Sequence, residues 1–211
     1  MKAVIVSGGT PPSYELLKDE LACESLIICA DSGGDCLYKY GFIPNYLLGD
    51  FDSIDSEAFK YFEKEGVAIE GFRRDKDYTD TQLSIRKAME LGCDEIVLLG
   101  CSGNRMDHTL GNIGLLKECL NSGVKAYLKD DINAVTLVDS TTTIEGVTGQ
   151  VFSLQAYCEC VKELTITGAK FGLNKYDLYL GDPLTISNEF LEEKVKLEFK
   201  SGMLLIMRSK T

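Results

Sequence analysis

The first 130 residues alternate between two kinds of segment, and this alternation is what most restricts the fold. Short apolar runs, at residues 2–8, 25–30, 46–48, 67–69 and 95–99, are each followed by a segment of helical spacing. The helical segments are residues 14–21, 35–40, 57–65, 79–91 and 106–120. Continuous apolar runs suit parallel strands that are buried on both faces. We therefore predict an N-terminal α/β domain over residues 1–130 with a mostly parallel sheet.

The pattern changes after about residue 130. Short strand-like runs separated by glycines follow, at residues 134–138, 150–156, 164–167, 177–180 and 184–187. Residues 194–200 alternate strictly between polar and apolar side chains, and Ser201-Gly202 connects them to the apolar run 203–207. This arrangement predicts a hairpin. We predict an all-β C-terminal domain over residues 131–211, built as a sandwich.

Acidic residues recur beside the strand and helix ends of the first domain. The run 46–48 leads into Gly49-Asp50-Phe51-Asp52-Ser53. Residues i and i+2 of an extended backbone point to the same side, so Asp50 and Asp52 are expected to face one spot. Ligands of parallel sheets bind outside the carboxyl ends of the strands, where we expect the acids to gather. The set is Asp31, Asp50, Asp52, Asp77, Asp80 and Asp107.

Carboxylates that share one crevice repel each other unless cations lie among them. Two unit charges ~4 Å apart repel by about 1 kcal/mol in water and roughly 4 kcal/mol at an effective dielectric constant near 20. Mg²⁺ takes oxygen ligands and commonly bridges protein carboxylates to substrate phosphates. We therefore interpret the acidic set as a Mg²⁺–nucleotide site, with Asp50 and Asp52 as first candidates for metal ligands. The alternative for this pair is turn formation or helix capping.

The formal net charge of −11 restricts the partners. It argues against a nucleic-acid backbone and against an anionic membrane surface, and it favours a cationic or metal-chelated substrate. The N-terminus is typical of a strand start rather than a signal peptide, and no apolar run approaches the ~20 residues of a membrane span. Because several of the eight cysteines lie within or beside buried-looking runs, we expect reduced thiols and a cytoplasmic protein.

Five motifs follow one another along the chain. They are Asp31-Ser32-Gly33-Gly34, Gly49-Asp50-Phe51-Asp52-Ser53, Lys76-Asp77-Tyr78-Thr79-Asp80, Gly103-Asn104-Arg105-Met106-Asp107-His108 and Ser187-Asn188-Glu189. In this order they resemble the thiamine pyrophosphokinase (thiamine diphosphokinase) family, over essentially the full chain. The resemblance implies a Rossmann-like α/β domain that binds ATP and Mg²⁺, and a β-sandwich that contacts thiamine. It also implies a homodimer with active sites near the subunit interface, and an activity that converts ATP and thiamine into AMP and thiamine diphosphate.

The candidate site residues form three groups. We expect a catalytic group, the first three of which are also candidate metal ligands: Asp50, Asp52, Asp80, Arg105 and Asp107. The nucleotide and its metal are expected to meet Asp31, Gly33, Gly34, Ser53, Lys76, Asp77, Thr79 and His108. Thiamine is expected to meet Ser187, Asn188 and Glu189.

Each group also has a plainer interpretation. Asp77, Thr79 and Asp80 begin a helix, where free N–H groups and the helix dipole favour anions, so they also serve as ordinary capping residues. Arg105 suits bidentate contact with a transferring phosphoryl group, whereas the plainer alternative is a surface salt bridge with Asp107. His108 is a candidate general base, but an aspartate or the metal is an equally good activator of the hydroxyl.

Three other functions remain open on the sequence alone. A related pyrophosphokinase would act on another hydroxymethyl heterocycle, such as a pterin. A non-catalytic module would sense Mg²⁺ and nucleotide without forming a product. A metal-dependent phosphohydrolase would release phosphate or pyrophosphate into water.

Overall fold

The computed structural model describes residues 1–73 and 77–210. The chain divides into two compact units, Met1–Asp131 and a second that begins at Ile132. Each unit has its own cluster of buried side chains.

The first unit contains a six-stranded parallel sheet. Its strands are β1 (Lys2–Val6), β2 (Ser25–Ala30), β3 (Tyr46–Gly49), β4 (Ala68–Gly71), β5 (Glu95–Leu99) and β6 (Lys125–Lys129). They lie in the order β4-β3-β2-β1-β5-β6, and every neighbouring pair is parallel. The alternation of strand and helix therefore yields the mostly parallel sheet that the apolar runs predict, and the carboxyl ends of all six strands share one edge.

Five helices connect these strands. They are α1 (Tyr14–Glu20), α2 (Gly33–Tyr40), α3 (Ser56–Lys64), α4 (Asp80–Glu90) and α5 (Met106–Asn121). Val4 and Val6 of β1 share one core cluster with Leu17 of α1, Leu37 of α2 and Phe62 of α3. Helix α4 packs on β1, β2 and β3. Since alternate residues of a strand point to opposite faces, the central strands are buried on both sides.

Capping side chains fix where three of the helices begin. Ser13, Asp55 and Thr79 occupy the N-cap positions of α1, α3 and α4, and each accepts a hydrogen bond from a backbone N–H of the first turn. Helix α2 begins at Gly33, two residues earlier than the sequence predicts. Gly33 and Gly34 are thus part of the first helical turn.

The second unit is built from two antiparallel sheets. Its strands are β7 (Asn133–Val138), β8 (Thr142–Glu145), β9 (Val151–Ala156), β10 (Cys160–Thr167), β11 (Leu173–Tyr179), β12 (Asn188–Glu189), β13 (Lys194–Glu198) and β14 (Leu204–Ser209). One sheet has the order β12-β9-β14-β7 and the other β11-β10-β13-β8. Phe152 and Leu204 of the first sheet share a core cluster with Leu164 and Leu197 of the second. The two sheets therefore pack face to face, as in a sandwich.

The hairpin predicted around Ser201-Gly202 is wrong. Strand β13 pairs with β8 and β10, whereas β14 pairs with β7 and β9, so the chain crosses from one sheet to the other between them. Gly202 has φ +118, and a Cβ there would lie 2.8 Å from the carbonyl oxygen of Cys160. Gly202 does form a turn, as predicted. The turn lets the chain pass close to β10, and the chain does not reverse direction within one sheet.

The strand predicted at residues 184–187 is also wrong. This segment forms turns, in which the N–H of Leu184 donates to Oδ1 of Asp182 (3.0 Å) and the N–H of Ile186 donates to the carbonyl of Pro183 (3.1 Å). Local hydrogen bonds near a proline compete with strand pairing. A short strand that the sequence analysis missed, β8, pairs with β13.

All eight cysteines are free thiols, and five of them are buried. Burial raises the pKa of the Cys101 thiol to about 12 and has the same effect on Cys119. Thiols of this kind are protonated and unreactive at neutral pH. Within residues 1–73 and 77–210, no helix is long and apolar enough to cross a membrane.

Candidate active site

Three carboxylates meet at the carboxyl edge of the parallel sheet. Asp31 follows β2, and Asp50 and Asp52 follow β3, the strand that pairs with β2. One carboxylate oxygen from each of the three lies within 4.8 Å of the others. The acids that the sequence analysis placed at strand ends thus include a cluster of three, which we call the carboxylate cluster.

The backbone at the end of β2 brings Asp31 against β3. Asp31 has φ +48, and its N–H donates to the carbonyl of Leu48 (2.8 Å). A Cβ on Gly49 would lie 3.0 Å from the Cβ of Asp31. A side chain at this position would press against Asp31, so the Gly49 that precedes the two other acids eases their approach to it.

Asp50 and Asp52 come together through a turn, and the extended backbone predicted for them is wrong. The N–H of Asp52 donates to Oδ1 of Asp50 (3.2 Å), and Phe51 between them has φ +60. A side-chain oxygen that accepts from the backbone two residues on is the usual way in which aspartate forms a turn. The two carboxylates are therefore neighbours by turn geometry and not by strand alternation.

The chemistry of the cluster fits a divalent cation. The hydroxyl of Ser53 donates to Oδ2 of Asp31. Oδ1 of Asp31 is buried and has no hydrogen-bond partner among the described residues. A buried carboxylate oxygen without a partner is costly, and a bound cation removes that cost. Three carboxylates in one place supply the oxygen ligands that Mg²⁺ prefers.

A second acidic segment begins helix α4. Oγ1 of Thr79 accepts from the N–H of Gln82 (3.2 Å), as an N-cap should. The Gln82 side chain donates to Glu118 of α5 (2.6 Å) and so links the two helices. Asp80 lies in the first turn but outside the carboxylate cluster, and Asp77 is exposed. Lys76 lies outside the described residues.

Arg105 and Asp107 pair with each other at the start of α5. The guanidinium donates to both carboxylate oxygens, at 2.6 and 3.3 Å, and both side chains are mostly exposed. Hydrogen bonding from Arg105 lowers the pKa of Asp107 and, reciprocally, raises the pKa of Arg105. Asp107 is thus ionised at neutral pH. His108 is exposed beside them.

A small cavity of about 180 Å³ adjoins the start of α2, next to the cluster. Gly8 and Gly9 from the loop after β1 line it, together with Ser32 and Gly33. Ser32 makes no side-chain cap for α2, and a Cβ on Gly33 would lie 2.1 Å from the carbonyl oxygen of Val6. This loop is not among the site residues predicted from the sequence. Its signal was the glycine pair directly after the first strand, a common feature of phosphate-binding turns.

The predicted thiamine-binding segment belongs to the second unit. Ser187 is exposed and has φ +57. Asn188 is only 3 % exposed, and its amide accepts from the N–H of Phe171 (3.0 Å) and donates to the carbonyl of the same residue (2.8 Å). Glu189 pairs with Lys170 (2.8 Å). Asn188 therefore fastens the Phe171 loop, whereas Ser187 and Glu189 are accessible.

Comparison with known proteins identifies the family. A family model described as "Thiamin pyrophosphokinase, catalytic domain" matches residues 17–128, and one described as "Thiamin pyrophosphokinase, vitamin B1 binding domain" matches residues 141–204. The thiamine pyrophosphokinase of Bacillus subtilis (strain 168) is 34 % identical over 215 residues, which cover 99 % of both chains. The chain belongs to the thiamine pyrophosphokinase family. It is therefore an enzyme, as the resemblance of its motifs predicts.

Solved structures of the family agree with this assignment. The crystal structure of the Bacillus subtilis thiamine pyrophosphokinase matches with a TM-score of 0.90 at 32 % identity, over 100 % of this chain and 99 % of that one. The Geobacillus thermodenitrificans thiamin pyrophosphokinase matches with a TM-score of 0.88 at 28 % identity, over 100 % and 98 % of the two chains. The similarity to the thiamine pyrophosphokinase family thus extends over both units.

Proposed function

We propose that this protein transfers the pyrophosphoryl group of ATP to the hydroxyl of thiamine, giving thiamine diphosphate and AMP. Its membership of the thiamine pyrophosphokinase family supports the reaction. The observation that carries the proposal is the carboxylate cluster, in which a buried oxygen of Asp31 has no partner among the described residues. The protein is itself strongly acidic. It can therefore bind a triphosphate at these carboxylates when a metal ion lies between the two sets of negative charges.

The reaction needs positioning and charge compensation more than covalent catalysis. The oxygen of the thiamine hydroxyl attacks the β-phosphorus of ATP and forms a new P–O bond. The bond between the β-phosphorus and the bridging oxygen breaks, so that AMP leaves, and the hydroxyl proton passes to a base, for which His108 and an aspartate are the candidates. We assign Asp50 and Asp52 as ligands of Mg²⁺, extend the set by Asp31, and keep Asp80 as a further candidate. Bound there, Mg²⁺ would offset the negative charge of the triphosphate.

The N-terminal unit supplies the remaining nucleotide contacts in this proposal. The start of α2 offers the backbone N–H of Gly33 beside the carboxylate cluster, whereas the N–H of Gly34 already donates to the carbonyl of Asp31 (3.0 Å). The strand order along the chain reverses at β1, beside the strand that precedes α2. In Rossmann-like sheets, ligands bind at the point of such a reversal. Contacts from the other predicted residues remain part of the proposal: Ser53, Lys76, Asp77, Thr79, Arg105, Asp107 and His108.

The second unit supplies the thiamine contacts. The accessible hydroxyl of Ser187 suits the aminopyrimidine, and the carboxylate of Glu189 suits the cationic thiazolium. Asn188 no longer serves as a direct contact in this proposal, because its amide already bonds to the backbone of Phe171. Its contribution is to hold the segment that presents its two neighbours.

The proposal includes a homodimer in the cytoplasm. Large apolar side chains are exposed close to the thiamine segment: Leu180, Leu184, Ile186 and Leu191. Apolar side chains grouped in this way commonly mark an association surface. The free cysteines are those expected in a reducing compartment.

The direct test follows the labelled phosphate. Incubation with thiamine, Mg²⁺ and ATP labelled at the γ-phosphorus should give AMP and labelled thiamine diphosphate. Formation of ADP and thiamine monophosphate would contradict the proposal, and so would labelled phosphate released into water. Preferential transfer to a hydroxymethylpterin in competition with thiamine, or saturable ATP binding without a product, would instead favour one of the other functions left open by the sequence.

A matched pair of variants links the activity to the carboxylate cluster. Asp50→Asn keeps the size of the side chain and removes its charge, and should lower kcat/KM by at least about 100-fold. Asp139→Asn makes the same change at an exposed position of the second unit, and should leave kcat/KM unchanged. Equal activities of the two variants would refute the assigned site.

A further inference from the structure

Phe51 lies between Asp50 and Asp52 in the chain and has a backbone conformation that large residues rarely adopt. Its φ is +60, in the left-handed region. Residues other than glycine rarely adopt this region, and for a bulky residue it is a true outlier. Such a conformation persists only when the surroundings hold it in place.

Packing of the Phe51 ring holds this backbone conformation in place. The ring centroid lies 5.2 Å from that of Phe59 of α3, and both rings pack against the core cluster of the first unit. On the other side the ring approaches Gly71 at the end of β4, where a Cβ would lie 3.3 Å from Cε2 of Phe51. The side chain is thus packed between a helix and the end of a strand.

The turn at Phe51 decides how close the flanking acids come. The turn brings Oδ1 of Asp50 to 3.2 Å from the backbone N of Asp52, which donates a hydrogen bond to it. In the structure, oxygens of Asp50 and Asp52 lie within 4.8 Å of each other and of Asp31. Repulsion among the carboxylates opposes this approach when no cation is bound. Packing of the ring therefore stabilises the turn and offsets both the backbone strain and the charge repulsion.

We propose that Phe51 is a positioning residue, whose packed ring holds the left-handed turn that gathers Asp50 and Asp52 at the metal. Its role in this proposal is exerted through the packing of the ring on Phe59 and at the end of β4. The inference rests on the metal-binding role in the proposed function. It predicts that removing the ring lowers metal affinity because the carboxylates are no longer preorganised, even though every ligand is still present.

The test compares two phenylalanines of the same core cluster. Phe42 is also half-buried and pairs with one ring, that of Tyr14 (5.8 Å). Mn²⁺ affinity is measured by isothermal titration calorimetry, with and without ATP. Phe51→Ala should weaken Mn²⁺ binding by about 10-fold or more. Phe42→Ala should lower thermal stability to a similar degree and leave Mn²⁺ affinity within about twofold of wild type.

A second pair of variants decides the matter if Phe51→Ala fails to fold. Phe51→Leu and Phe51→Val both keep an apolar side chain, but a β-branched residue is far less tolerant of the left-handed region. We expect Phe51→Val to bind Mn²⁺ several-fold more weakly than Phe51→Leu. Equal affinities of these two, wild-type affinity in Phe51→Ala, or a wild type that binds no Mn²⁺ would each overturn the inference. A wild type that binds Mn²⁺ but forms no thiamine diphosphate refutes the proposed function alone.

Discussion

At the scale of single residues, the carboxylate cluster opposes folding while no cation is bound. Each pair of unit charges at this separation repels by about 1 kcal/mol in a watery environment and by more when partly buried. The buried Oδ1 of Asp31 adds the cost of an unsatisfied acceptor. Functional sites commonly hold groups that stability alone would not select.

The first prediction therefore concerns the metal-free protein. Asp50→Asn should raise its thermal midpoint by about 2–4 °C, because relief of repulsion is worth about 1 kcal/mol in a chain of this size. Differential scanning fluorimetry in a chelator measures this change. Added Mg²⁺ should then raise the midpoint of the wild type and have little effect on the variant.

Asp139→Asn is the control for the general effect of removing one negative charge from an acidic protein. It should change the metal-free midpoint less than Asp50→Asn does and keep the full response to Mg²⁺. A metal-free Asp50→Asn protein that is no more stable than Asp139→Asn would show that repulsion within the cluster is negligible.

At the scale of elements, an ion network links helix α1 to two strands of the first unit. Glu20 at the end of α1 accepts from Lys2 of β1 (2.8 Å) and from Lys129 of β6 (2.6 Å), with its side chain 12 % exposed. Burial alone would raise the pKa of Glu20, but the hydrogen bonds from both lysines outweigh it, so the pKa falls below its usual value of 4.5. One carboxylate thus links a helix to two strands.

The second prediction is a pH-dependent stability. A carboxyl group with a lowered pKa in the folded state stabilises the protein above its unfolded pKa, and this contribution is lost as the pH falls through the folded value. Glu20→Gln should therefore lower the unfolding free energy by about 1–3 kcal/mol at pH 7. The difference from wild type should shrink as the pH falls below 4.5.

Urea unfolding at neutral and acidic pH measures this difference, with Glu63→Gln as the control. Glu63 is exposed on α3, so its substitution should change stability little at either pH. A Glu20→Gln deficit that stays constant or grows in acid would contradict the assigned network.

The sequence predicted elements well where the pattern was local. Apolar runs and N-cap residues such as Ser13 and Asp55 predicted five of the six strands and all five helices of the first unit closely, but β6 was missed. The prediction failed where the partner of a strand mattered. The alternation in β13 and the apolar run in β14 show that both strands are buried, but not that they belong to different sheets. Turn chemistry around Pro183 was likewise mistaken for a strand.

The candidate site was predictable to a similar extent. The i and i+2 spacing correctly joined Asp50 and Asp52, although through the wrong backbone geometry. Asp31 joins them because β2 lies beside β3, and strand order is not contained in any local pattern. The left-handed turn at Phe51 depends on packing against α3 and β4, which only the folded chain reveals.

At the scale of the whole molecule, the negative charge is concentrated in the unit that holds the carboxylate cluster. Residues 1–131 carry −9 of the formal charge of −11. Such a surface repels a free triphosphate strongly, repels its less negative complex with a divalent cation more weakly, and attracts the cationic thiamine. The charge distribution is thus consistent with a site that receives its nucleotide together with a metal.

The central claim is that the carboxylate cluster holds the metal of the nucleotide, and anomalous diffraction tests it most directly. Crystals grown with Mn²⁺ and an unreactive ATP analogue should show an anomalous peak within coordination distance of at least two of the carboxylates of Asp31, Asp50 and Asp52. A metal and triphosphate bound elsewhere, with these three carboxylates uncoordinated, would contradict the account.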